Sequence, residues 1–315
     1  MATTTGPGLE LETSVVFTPF GIQFWDFALD KQVGDGLQVA AQLKDADYAP
    51  VPAMRTVSGN YAFRGLPGLH AVEYPPISAP GSTPTSPPSS PPSTYTFGIT
   101  ILDTLNRFLP TVFSVDLPLS YPGLFLSSVV VSPPGTGAQA YLFSAPDRTV
   151  TTGMAAVRAD VKDNSTGNPA AFAVLQVTIA GQVWTGIADE RGRVAVMFPY
   201  PLVQQLSMGS PPGTGQGPIT NVSWPIQVGV LYQPARLRYP LSTSRDVVWP
   251  WTNTPSLKSI LDEQQPALIL QQESGPPALQ WQGSLNYGQE LVLRTSLADP
   301  TQVSPDLWIF PATSP

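Results

Sequence analysis

The sequence predicts an all-β protein of two related sandwich domains, and three observations lead there. Proline occurs 37 times and glycine 26 times in 315 residues. An interior helical proline removes a hydrogen-bond donor and collides with the preceding turn, so long helices are disfavoured along most of the chain. Apolar residues recur at every second position in one segment after another, the period of a half-buried strand. Two regions also repeat one order of features, which points to a duplicated module.

Residues 1–13 read as an N-terminal arm. The segment "SVVFTPFGIQFWDFAL" (14–29) is rich in Val, Phe and Ile without helical spacing and predicts one or two strands. Asp35-Gly36 is a hairpin signal. Leu37, Val39, Ala41 and Leu43 then share one face of a further strand. The stretch "SGNYAFRGLPGLHAVEY" (58–74) supplies two more, with Tyr61 and Phe63 on one face and Ala71 and Val72 beyond the Leu66-Pro67-Gly68 turn.

Residues 75–94 are a Pro/Ser-rich loop that cannot bury apolar surface, a spacer of polyproline type. Alternation returns at Tyr95, Phe97, Ile99 and Ile101, so the first sandwich is expected to span 14–120 across that loop. Proline-glycine turns at 121–137 mark the boundary of a second sandwich, 121–249, with strand patterns in 138–146, 153–163, 169–201 and 224–234. The remainder, 250–315, reads as a C-terminal extension docked on the sandwiches or on a partner. It holds a short helix, with Ser256 as N-cap and Leu257, Ile260 and Leu261 on one face, and several strands.

The repeat is faint but ordered. "LQVAAQL" is followed by "MRTVSGNYAFRGLPGL", and "LQVTIAG" by "TGIADERGRVAVMFPYPL". Each reads as a strand, a polar stretch, a glycine-bearing turn, an apolar strand and a proline exit.

Composition narrows the function. Charged residues make up 12%, about half the usual share for a soluble domain. Extensive uncharged surface is costly to leave in water, which favours an assembly component. The net charge of −7, with no run of basic residues, argues against binding a phosphate backbone. There is no cysteine, so disulfides and thiolate metal sites are excluded. No signal-peptide pattern and no stretch of membrane-spanning length is visible, and cytoplasmic synthesis without membrane insertion is the expectation.

The search for catalytic chemistry nominates nothing. His70 is the single histidine, with no cysteine to join it as a metal ligand, and sequence places no nucleophile beside it. "PGTG" (134–137) and "PGTGQG" (212–217) lead into no helix that would hold phosphate. Asp160, Asp163 and Asn164 miss the alternating ligand spacing of a calcium loop. Asp189 and Glu190 flank a turn glycine, where Asp serves the backbone. Trp184, Trp224, Trp249, Trp251, Trp281 and Trp308 are candidates for sugar stacking, with core or interface packing as the weightier reading. The N-x-[ST] matches at Asn164 and Asn221 are read as chance. No enzyme and no cofactor is expected.

Ser58, Gly59, Tyr61, Phe63, Leu66, Pro67, Gly68 and Tyr74 resemble the turn-strand pattern of carboxypeptidase-regulatory-like, or transthyretin-like, β-sandwiches. Asp189, Gly192, Val194, Val196 and Pro199 fit more weakly, without the Leu-Pro-Gly turn. The resemblance implies Greek-key sandwiches that pack or adhere and carry no catalytic residues. More loosely, residues 99–125, "YGQELVLRTSL" (287–297) and the terminal "LWIFP" resemble proteins encoded with contractile, phage-tail-like injection systems. This implies a structural subunit at the baseplate or cap end, assembled in the bacterial cytoplasm, with release in an extracellular or membrane-attached particle as one course open to it. Its partners would be sheath, tube, baseplate or cap proteins.

Trp249, Trp251, Trp308 and Phe310 are then the expected partner-binding residues, because aromatics in proline-flanked segments are hard to bury within a sandwich. The rival reading is a carbohydrate-binding or adhesin module; a sandwich hydrolase would need a carboxylate pair that the sequence does not nominate.

Overall fold

The computed structural model describes residues 20–44, 48–69, 94–117, 139–201, 222–240, 254–299, 302 and 304–311. Two halves emerge from the strand pairings. The first contains β1 (Phe20–Asp26), β2 (Lys31–Gln32), β3 (Leu37–Leu43), β4 (Val51–Pro52), β5 (Met54–Arg55), β6 (Tyr61–Phe63), β7 (Tyr95–Asp103), β8 (Thr111–Leu117) and β9 (Gln139–Leu142). The second contains β10 (Met154–Asp163), β11 (Val174–Ile179), β12 (Gln182–Ile187), β13 (Arg193–Pro199), β14 (Ser223–Leu231), helix α1 (Leu257–Asp262), β15 (Pro266–Ile269), β16 (Trp281–Asn286), β17 (Leu291–Leu293) and β18 (Leu307–Phe310). The protein is nearly all β, as the proline load and the alternation predict.

The expected faces form. Leu37, Val39, Ala41 and Leu43 are buried on β3, while Gln38 and Gln42 lie on the opposite side of the pleat. They meet Phe97, Ile99 and Ile101 of β7 and Ile22, Phe24, Tyr61 and Phe63 of the facing strands in one core. Sheet β4-β3-β7-β8 thus closes on a sheet centred on β1, which pairs with β2, β6 and β9, with β5 beyond β6. Gly36 has φ +72°, but Asp35-Gly36 does not close a hairpin. β3 pairs with β4 and β7 in the sheet opposite β1, so that turn carries the chain across the sandwich.

The two halves pair several of their strands in a similar order. The opening strand pairs antiparallel with the strand after the glycine turn, β1 with β6 and β10 with β13. It pairs in parallel with the closing strands, β1 with β9 and β10 with β17 and β18. Facing it, the first half has a separate sheet β4-β3-β7-β8; in the second half β12-β11-β14-β16 continue through β15 and β18 to β10 and β13, so that its two layers belong to one nine-stranded sheet. In the turns, Thr56 and Asp189 each receive the glycine N–H of Gly59 or Gly192 on their carbonyl. Their side-chain oxygens accept the next N–H, from Asn60 at 3.0 Å and from Arg193 at 2.9 Å.

Two expected boundaries shift. The strand in 138–146, placed by sequence in the second sandwich, is β9 and completes the first, because its parallel partner β1 offers a free edge there. Residues 250–315 are not an extension docked on finished sandwiches. They supply β15 to β18, and Leu285, Leu293, Leu307 and Ile309 are fully buried in the second core. Helix α1 forms as expected from Ser256 onward, although the Ser256 side chain makes no capping bond; Ser259 Oγ donates to the Ser256 carbonyl instead, at 2.8 Å. The second strand expected within 58–74, and His70 with it, lies outside the described residues.

Candidate functional site

Of the four expected partner-binding residues, Trp249 and Trp251 lie outside the described residues. Trp308 and Phe310 lie on β18, where Leu307 and Ile309 point into the core and the two aromatics take the outer face, half-buried. The Trp308 backbone is built into the sheet: its N–H donates to Thr295 Oγ1 at 3.0 Å, and its carbonyl accepts from Leu270 N–H at 2.9 Å. Lys162 Nζ sits 5.6 Å from the indole centre and pairs with Asp306 Oδ2 at 2.8 Å. Phe310 stands opposite Leu268, itself exposed. So Trp308 and Phe310 are not on a loose tail; the pleat leaves a small outer patch of Trp308, Phe310 and Leu268.

The more elaborate construction is the joint between the halves, which sequence reasoning missed. The segment after β9 carries Arg148 back onto Asp26, the last residue of β1. Nη2 lies 2.5 Å from Oδ2 and Nη1 3.1 Å from Oδ1. Both side chains are largely buried, and Asp26 Oδ1 also accepts the N–H of Ala28 at 2.9 Å. A buried carboxylate requires such partners. From the other half, Arg158 of β10 donates to the carbonyls of Pro146 and Arg148. Arg193 reaches Asp147 at 3.1 Å while held by Asp189, whose carboxylate raises the guanidinium pKa above its ordinary value. The one signal in the sequence is "SAPDR", a pair of opposite charges in a charge-poor chain.

Apolar contacts reinforce these bonds. Leu109 and Phe143 of the first half, Val174 and Ile187 of the second, and Ile260 and Leu261 of α1 form one buried cluster. Ala28 packs on Ala156, Ala195 and Met197. Beside the first of these clusters lies a cleft of about 240 Å³ lined by Leu109, Phe143, Phe172, Ile187, Leu257 and Ile260, together with Asp189, Glu190 and Arg191. Asp189 is already committed to the backbone N–H groups of Arg191 and Arg193. Thr111, among the lining residues, donates its hydroxyl to the Leu109 carbonyl. The cleft offers an apolar surface.

The other candidates are placed as follows. Asp160 and Asp163 fall an odd number of residues apart on β10, so the pleat sends them to opposite faces. Asp163 Oδ1 accepts from Ser165 N–H at 2.8 Å in the following turn. Among the described residues, no three His, Cys, Asp or Glu side chains gather as a metal site. Trp184 stacks on Phe198 at 5.8 Å, and Trp224 on Tyr200 at 5.5 Å, with Tyr287 completing that group. The ring of Trp281 folds over Gly283, where a Cβ would strike it. All three indoles thus pack against the second core.

No family model matches the chain, and no curated protein matches it. Among solved structures, the shaft pilin SpaA of Lactobacillus rhamnosus GG is similar over 94% of this chain and 98% of the pilin, at 8% identity and a TM-score of 0.22. The Bacillus anthracis TIE protein is similar over 93% of this chain and 48% of its own, at 9% identity and a TM-score of 0.19. At such scores the likeness carries no argument about topology or function; the all-β class rests on the strand pairings themselves.

Proposed function

We propose that the protein is a structural, non-catalytic component of a larger assembly and acts by protein–protein contact. The observation that carries this reading is the joint. The two halves are tied by a buried ion pair to the connecting segment, by arginine bonds to its backbone and by a shared apolar cluster. Such a connection suits a part that must hold two surfaces at a fixed spacing, because each half is restrained by contacts of several kinds. The outer patch of Trp308, Phe310 and Leu268 is a docking surface of the aromatic type that interfaces favour. In the setting that the sequence resemblance implies, the assembly is a contractile injection particle and the partners are its sheath, tube, baseplate or cap subunits.

The test is fractionation of particles from cells carrying or lacking the gene. Co-sedimentation of the chain with sheath and tube, and incomplete particles in its absence, are the expected results. A chain that stays entirely in the low-mass fraction, or a purified chain that turns over a substrate, ends the proposal.

A further inference from the structure

One face of the second half gathers the uncharged character of the whole chain. Not one residue of β11, β12, β14 or β16 is charged, and residues 194–235 contain no Asp, Glu, Lys, Arg or His at all. On these four neighbouring strands Leu175, Val177, Ile226, Val228 and Leu285 point into the core. The alternate positions point away. Near the joint they are apolar, Val174, Ile187 and Leu231, because α1 and the first half cover them. Farther along Thr185 is still buried, but beyond it Ser223, Gln227, Gln282, Ser284 and Asn286 present amides and hydroxyls that are left open. The register aligns Val183, Thr178, Gln227 and Gln282 in one row across all four strands, with Pro225 beside Ser284 and Ser223 beside Asn286. Gln227, Gln282, Ser284 and Pro225 are exposed.

The occupant follows from charge, size and side-chain chemistry. Four strands about 4.8 Å apart, over about six residues of length, make a face of roughly 400 Å². That is about half of what each partner contributes to a stable protein–protein interface. The face also lacks the outward Trp, Tyr or Arg that anchors such interfaces. A charged ligand would be desolvated here with no counter-charge to meet it. Amide side chains, by contrast, each present donors and acceptors together, which matches a ligand whose every group is a hydroxyl. Val183, Pro225 and bare Gly229 give low ground between them for the C–H faces of a ring. We infer that this sheet face binds a neutral polysaccharide, laid across the row from Val183 to Gln282. The inference does not rest on the assembly role proposed above.

The test is affinity electrophoresis of the full chain through gels containing dextran, a β-glucan or a galactomannan, with polygalacturonate as the anionic control. At least one neutral polymer slows the protein and polygalacturonate does not. Gln227→Glu and Gln282→Lys, of opposite sign and on neighbouring strands, each weaken retardation at least tenfold while the melting temperature holds within a few degrees. Asp160→Asn, on β10 and away from this face, leaves it unchanged. Equal migration in all neutral gels, equal slowing by polygalacturonate, or full retardation of both variants overturns the inference. So does a dimer in sedimentation that Gln227→Glu dissolves, since the face would then join two copies.

Discussion

The two halves pair several of their strands in a similar order and differ in what fills their cores. The first packs aromatics: Phe24 meets Tyr61 edge-on at 5.4 Å, Phe20 stacks on Phe63 at 5.9 Å, and Phe97 is fully buried between the sheets. Its strands β4, β5 and β6 are only two or three residues long. The centre of the second is mostly aliphatic, with Ala155, Val157, Ala159 and Val161 on β10 against Val194 and Val196 on β13, while Phe198 and the indoles pack beside them. Large rings supply much buried area from few residues, so short strands suffice; small side chains need a long ladder to bury as much. The lesson is that order and turns specify the scheme, while core composition is free provided the volume is filled.

The turns differ in the same sense. Thr56 to Asn60 and Asp189 to Arg193 make one backbone pattern, but only the second carries charge outward, through Arg193 to Asp147. A local device of the first half has become part of the joint in the second.

The sharpest way to break the comparison is to delete residues 250–315. The first half keeps every strand and its own core, whereas the second loses four strands and the fully buried side chains of Ile269, Leu285, Leu293, Leu307 and Ile309, with Ala267 besides. At about 2–5 kcal/mol for each large side chain, the loss is as large as the total stability of an ordinary domain, roughly 5–15 kcal/mol. Limited proteolysis should leave a protected fragment that begins near β1 and ends near β9, with β10 to β14 digested. Protection of β10 to β14 would show that the second half stands without its closing strands.

Next in size is Arg148→Ala, which leaves Asp26 buried without its cation and costs about 3 kcal/mol or more. Calorimetry should then resolve two transitions where the intact joint gives one. A single unshifted transition would mean that the apolar cluster alone couples the halves. The paired glycine substitutions rank third. Gly59 and Gly192 have φ of +80° and +79°, so alanine at either site is strained by about 1–2 kcal/mol. At Gly192 the added methyl also strikes the Val161 carbonyl, whereas at Gly59 the neighbours stand off at 3.3 Å. Gly192→Ala should therefore cost about 1–3 kcal/mol more than Gly59→Ala in denaturant titration; equal costs would contradict the tighter packing of the second turn.

The smallest effect is alkaline. Burial and the neighbouring Asp30 push the Tyr141 hydroxyl up to about 12, against about 10 in an unfolded chain. The folded state keeps this proton longer, so stability is intact below about pH 10 and falls as the pH rises from about 10 to about 12. Tyr61 and Tyr232 are raised in the same direction by burial, one in each half. With two such tyrosines the first half should lose stability faster in alkali, and Tyr141→Phe should flatten its slope without affecting the second half. An unchanged slope in chemical denaturation at pH 9 to 12 would remove Tyr141 from that account.

Alternation made most of this fold legible. Leu37 to Leu43, Phe97 to Ile101 and the β10–β13 pair are buried on the faces their spacing assigns, because the pleat depends only on neighbours two residues apart. The helix from Leu257 was legible for the same local reason. Asp35-Gly36 misled, since a glycine with positive φ serves a sheet-to-sheet crossing as well as a hairpin. Trp308 and Phe310 were legible as aromatics near prolines but not as the outer face of an inner strand, because β18 acquires its neighbours β10 and β15 only in space.

By itself, then, the sequence determined the β class, the strand faces, the duplicated order and the shortage of charge, all properties of short windows or of composition. Tertiary structure alone decided which half β9 joins, that the final residues complete the second core, that Arg148 meets Asp26, and that uncharged strands β11, β12, β14 and β16 lie side by side on one face. The physical reason is range: pleat and turn preferences act over a few residues, whereas parallel pairing and a buried ion pair join groups more than a hundred residues apart, whose proximity no local preference encodes.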